Sequence, residues 1–254
     1  MHLPRLAAVL TLAACTRPAP PPEANPLPGA FRAEYGAAIP AFEAFRAGLV
    51  ANRFLDTIAA RLNDSLALPL DITLATAHCD EPNATYNPGV RRVTLCYELF
   101  RSLADRFKSA PGREYLVPGT IMFALMHETG HALTDVLALP VTGREEDAVD
   151  QLASLLLLEQ GAIGDSLLFG AAVWLMSSAR RGRQDSLALA DDHSLDQQRV
   201  FNLLCWIEGR APGRYPQIKA EAWLPEHRRR QCADEYARLN ASWRRLLTRF
   251  RRPR

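Results

Sequence analysis

His127-Glu128-Thr129-Gly130-His131 sets two imidazoles four residues apart, with a carboxylate beside the first. On a helix, positions i and i+4 share a face one turn apart, so both rings can reach one metal ion. Glu128 then stands next to the metal's open position, where it can take a proton from a water molecule. The flanks predict the helix: Ile121, Phe123, Ala124 and Leu125 precede the motif, Ala132, Leu133, Val136 and Leu137 follow it, and Pro118-Gly119 marks a start. A catalytic zinc site takes three protein ligands and keeps one position for water. The next candidates come after Leu139-Pro140 and Gly143, where a second helix opens with Glu145, Glu146, Asp147 and Asp150. Acids also suit the first turn of any helix, because its dipole favours negative charge there. On that ground Glu145 and Asp147 are assigned to solvent.

In this stretch the chain resembles the gluzincin metallopeptidases, whose third zinc ligand is a glutamate on the helix after His-Glu-x-x-His. Glu146-x-x-x-Asp150 matches the family's spacing, which implies Glu146 as the ligand and Asp150 as the carboxylate that orients a ligand histidine. Such a carboxylate fixes the imidazole tautomer and strengthens the donor. Glu145, adjacent to Glu146, is the runner-up ligand, and the gap from His131 to Glu146 is shorter than in thermolysin-like members. The chain is closer still to a family of bacterial metallopeptidases once catalogued as a domain of unknown function. That resemblance rests on Asn83-Ala84-Thr85-Tyr86, Leu95 to Leu99, His127 to Asp135, Gly143 to Leu152, Asp192 to Arg199 and Cys205-Trp206. It implies a zincin-like peptidase domain holding one Zn2+ and acting on a peptide or protein.

Two further roles follow from the resemblance. Asn83 and Ala84 are similar to the edge-strand segment that holds a peptide substrate as an added strand, although the same residues also suit an ordinary turn. His193 is the best candidate for the downstream histidine that stabilises the oxyanion, with His78 and His227 as competitors and a surface histidine as the bland alternative. Ser194 with Gln197 makes a capping-box start to the helix that follows.

Stepping out from the site, the first fifteen residues read as an export signal. Met1 to Arg5 is short and basic, and Leu6 to Ala14 is an apolar run interrupted only by Thr11. A bilayer span needs about 20 residues, so this run suits a signal-peptide core instead. Leu12-Ala13-Ala14-Cys15 resembles the lipobox of bacterial lipoproteins. The resemblance implies a signal peptide over 1–14, lipidation of Cys15, and, with Thr16 following, an outer-membrane anchor facing the periplasm. Six of the 18 prolines fall in the next fifteen residues, which makes 15–30 a semi-extended spacer. Residues 31–254 read as a single domain.

In that domain, apolar spacing from Phe42 to Leu62 predicts one helix. Asp71 to Ala77 and Val90 to Leu95 read as strands around an Asn87-Pro88-Gly89 turn. Helices are expected over Tyr97 to Phe107, in three segments up to Arg180, and near 195–208 and 227–248. The fold class is α+β, predominantly α. Leu167 to Met176 reads as a buried helix under the site.

Five cysteines are an odd count. With Cys15 given to lipid, Cys79, Cys96, Cys205 and Cys232 form an even set, and an oxidising compartment favours disulfides. Of the three possible pairings, Cys79–Cys96 and Cys205–Cys232 are favoured. The net charge of +2 gives no reason to expect a nucleic-acid partner. The expectation is therefore an envelope-anchored zinc metallopeptidase. Its alternative is a zinc-stabilised envelope lipoprotein that binds partners or assists assembly without turnover.

Overall fold

The computed structural model describes residues 27–179 and 190–252. Cys15, the signal segment and most of the Pro-rich spacer lie outside the described residues. The chain is tied into the fold from Gly29 onward, whose N–H donates to the Leu68 carbonyl at 2.8 Å.

Four strands, β1 (Phe31–Tyr35), β2 (Ile72–Ala77), β3 (Ala84–Asn87) and β4 (Arg92–Cys96), form one sheet in the order β1-β2-β4-β3. β1, β2 and β4 run parallel, and β3 lies antiparallel to β4 at the edge. Residue patterning predicts β2 and β4 but not β1, while β3 begins at Ala84, in the segment that the family resemblance gives as an edge strand. β1 alternates along its length, burying Phe31 and leaving Arg32 and Glu34 exposed, but it is only five residues long. β3 is four residues of Ala-Thr-Tyr-Asn, short enough to read as part of the turn.

Two helices, α1 (Pro40–Ala51) and α2 (Phe54–Ser65), join β1 to β2. The sequence predicts a single helix here, and the chain corrects it at Asn52-Arg53. Arg53 takes a left-handed φ of 50°, and the Asn52 side chain donates to the Gly48 carbonyl at 2.9 Å, closing the end of α1. After β4 come α3 (Tyr97–Arg106), α4 (Arg113–Val136), α5 (Glu145–Leu158), α6 (Ala162–Ala179) and α7 (Asp196–Arg210). Short helices α8 (Pro216–Ala220) and α9 (Glu226–Arg229) precede α10 (Cys232–Leu247). Helix thus dominates one small sheet.

Pro118-Gly119 does not start α4 but sits inside it, one turn and more past Arg113. The glycine is there for a neighbour: a Cβ on Gly119 would fall 2.3 Å from the Leu167 carbonyl of α6. The helix after His193 begins at Asp196 with Leu195 as its cap, and the Leu195 N–H donates to Gln198 Oε1 at 3.1 Å. Gln198 therefore takes the capping position expected of Gln197.

α6 is apolar enough by length and composition to cross a membrane. Here it packs between α4 and α7, with Leu168, Ala171, Ala172 and Leu175 fully buried. The expected disulfides are present, Cys79–Cys96 joining the end of β2 to β4 and Cys205–Cys232 joining α7 to α10.

Candidate metal centre

α4 carries His127, Glu128 and His131, and α5 carries Glu146 and Asp150. What brings the helices together is Gly130. A Cβ there would lie 2.9 Å from the Val149 Cβ, closer than real Cβ atoms approach, so the missing side chain sets how near α5 can come. The approach puts Glu146 between the rings. His127 Nε2 lies 3.0 Å from Glu146 Oε2, and His131 Nε2 lies 3.4 Å from Oε1. His193, from the segment between α6 and α7, brings its Nε2 to 2.9 Å from the same Oε2.

The far side of each ring meets a second carboxylate. Asp150 Oδ1 is 2.8 Å from His127 Nδ1, Glu145 Oε1 is 2.8 Å from His131 Nδ1, and Asp191 Oδ1 is 3.3 Å from His193 Nδ1. Glu145 is therefore not idle in solvent, and the two adjacent glutamates divide the work: one sits on the Nε2 side, the other behind His131. Asp150 is in turn gripped by Arg199 of α7, Nε to Oδ2 at 2.7 Å and a terminal nitrogen to Oδ1 at 2.9 Å.

Glu146 Oε2 is buried and makes no contact of hydrogen-bond geometry. A buried polar atom without a partner is costly, and this one is approached by two imidazole nitrogens. A cation between them would satisfy it. Donors at about 2.0–2.1 Å from a tetrahedral zinc ion stand about 3.3 Å apart, and the 2.9–3.4 Å separations here are of that size. The donor set fits zinc. His127, Glu146 and His193 offer ligand atoms all within 4.8 Å of one another. Among the described residues Cys79, Cys96 and Glu98 form a second such group, but its sulfurs are consumed in the disulfide.

The charges follow the geometry. Burial disfavours a protonated His127, yet Asp150 and Glu146 outweigh it and push its pKa up to about 9. Burial alone would raise the Glu146 carboxyl, but the three imidazoles hold it well below the usual range. Glu128 moves the other way, raised by burial against the opposing pull of His127 and His131. That is the direction a proton-accepting carboxylate working near neutral pH requires.

A cleft of about 420 Å³ opens over these groups, with Glu128, His131 and His193 on one side and Ala84, Thr85 and Tyr86 of the edge strand on the other. The Tyr86 hydroxyl donates to Asp135 Oδ2 at 2.6 Å, fastening β3 to α4. Asn83 stands at the start of β3 with its amide turned to Glu81, while its carbonyl accepts from the Cys96 N–H. His78 lies apart, against Glu98 and Asp80, and His227 is on α9; neither joins the site. Sequence reasoning missed Glu145, Asp191, Arg199 and Asp135 as partners. The available signal was an acid or arginine within reach of each ring's second nitrogen, and Arg199 lies 49 residues from Asp150.

A mostly helical α+β chain, with histidines of one helix and a glutamate of the next facing a cleft beside a sheet edge, is the arrangement of a metal-dependent hydrolase. A family model described as "Putative metallopeptidase" matches residues 37–247, and the chain belongs to that family. No curated protein and no solved structure matches it.

Proposed function

We propose that this protein is a zinc-dependent peptidase of gluzincin type, holding its metal with His127, His131 and Glu146. The observation that carries the reading is the unsatisfied Glu146 Oε2 faced by imidazole Nε2 atoms, with the raised Glu128 carboxyl in the same cleft. A bound zinc ion would polarise the scissile carbonyl and lower the pKa of a water toward neutrality.

The chain's own groups do the rest. Glu128 accepts the proton of the attacking water and returns it to the leaving amine. Asp150 and Glu145 hold the ligand rings in the tautomer that offers Nε2. The edge of β3 at Ala84 to Tyr86 receives the substrate backbone as an added strand. The lipobox-like Leu12-Ala13-Ala14-Cys15 would put the domain on a lipid anchor in the bacterial envelope, and two disulfides support an oxidising compartment.

Purified protein tested against a peptide library checks the reading. The expected result is cleavage that a chelator abolishes and zinc restores. Incorporation of labelled fatty acid that is lost in Cys15→Ser checks the anchor. The non-catalytic alternative has one observation in its favour, the extra histidine crowding the donor set, because structural zinc sites are closed by four protein ligands. A half-buried Glu128 lining the cleft with no ligand role argues for turnover.

A further inference from the structure

We infer that His193 is itself a metal ligand in the substrate-free protein, completing a set with His127, His131 and Glu146; this rests on the metal site proposed above. The family resemblance implies His193 as a donor to the oxyanion. Such a donor stands off from the metal by the length of the oxyanion between them. The structure puts its Nε2 2.9 Å from Glu146 Oε2, no farther than His127 Nε2 at 3.0 Å, and it belongs with those two residues among donors within 4.8 Å of one another. The His193 ring stacks on His127 at 5.6 Å and 18°, which brings the two Nε2 atoms to the same carboxylate oxygen.

His193 is also supported as the other two rings are. Asp191 accepts from its backbone N–H at 2.8 Å and faces its Nδ1 at 3.3 Å. Arg144, just before α5, reaches the His193 carbonyl at 3.4 Å. A carboxylate behind the ring would suit an oxyanion donor as well, so the position of Nε2 carries the inference.

His193 differs from its companions in where it is mounted. His127, His131 and Glu146 project from long packed helices, whereas His193 sits outside helix on a short segment before α7, with its side chain 44% exposed. It is the ligand that can leave without disturbing a helix. Its departure opens the position that water and substrate need, so His193 acts as a stopper on the site.

Zinc-edge X-ray absorption and competition titration against a chromophoric chelator test this on purified protein carrying one zinc ion. Wild type should show three imidazoles, and His193→Ala should show two. Outer-sphere partners of a ligand are worth about 10–100-fold in metal affinity; loss of His193 as a direct ligand should cost on the order of 100-fold. His193→Gln should behave alike, and matched melting of the metal-free proteins excludes a folding cause. Two imidazoles in wild type, with unchanged affinity in both variants, would overturn the inference and leave the peptidase reading standing. Three imidazoles without cleavage of any peptide would uphold His193 and sink the peptidase reading. A wild-type protein that binds no zinc would overturn both.

Discussion

His127 touches a carboxylate at each ring nitrogen, Glu146 at Nε2 and Asp150 at Nδ1. Without metal this favours the doubly protonated ring, and zinc must compete with that proton. Zinc uptake at neutral pH should therefore release protons, and apparent affinity should rise with pH until His127 deprotonates at about 9. A titration in weak buffer, read as protons released per zinc, checks it. The sign for folding is the reverse. Because the folded-state value lies above that of a free histidine, stability gained through His127 in metal-free protein is full below about pH 6.5 and fades as pH rises toward 9. Behind His127 lies the buried Asp150–Arg199 pair. Asp150→Ala removes one partner and strands the other, so it should cost about 3–5 kcal/mol in chemical denaturation. Metal affinity should fall by about 10–100-fold as well. Asp150→Asn keeps the shape and should lose less stability.

At the scale of elements, the distance between α4 and α5 decides whether Glu146 reaches the rings, and Gly130 against Val149 sets that distance. Gly130→Ala should force the helices apart by a few tenths of an ångström. We expect weaker zinc binding from it, with much of the loss recovered in Gly130→Ala/Val149→Ala; a zinc titration of the three variants gives the answer. If the single variant binds as wild type does, helix spacing is not what aims Glu146. The His-Glu-x-x-His helix was legible because its period and its chemistry coincide within five residues. Glu146 and Asp150 were legible from family spacing, one turn apart on one helix. Arg199 and Asp191 were not, since their partners are fixed only when α7 docks. The break at Arg53 escaped because apolar residues recur every four or five positions on both sides of it, although the nine-residue step from Phe45 to Phe54 turns the apolar face by about half a turn. β1 escaped because its five residues are too short a pattern to stand out without the pairing partner β2.

For the molecule as a whole, one disulfide ties the sheet and the other ties the last helices. Cys79–Cys96 fixes the strands that lead into the edge strand, and Cys205–Cys232 fixes α10 against α7. Reduction of each should lower stability by about 2–4 kcal/mol, read as a fall in denaturation midpoint with and without reductant. Three of the late arginines are engaged in ion pairs within the fold. Arg228 pairs with Glu235, Arg229 with Glu226, and Arg251 with Glu159.

In the proposed reaction Glu128 transfers protons at a zinc ion it does not hold. One measurement addresses it: zinc content and peptide cleavage in wild type and Glu128→Gln, side by side. One zinc per chain is expected in both, with cleavage reduced by about 100-fold or more in the variant, the scale of general acid–base catalysis. Equal cleavage by the two proteins, or loss of zinc from the variant, would contradict it.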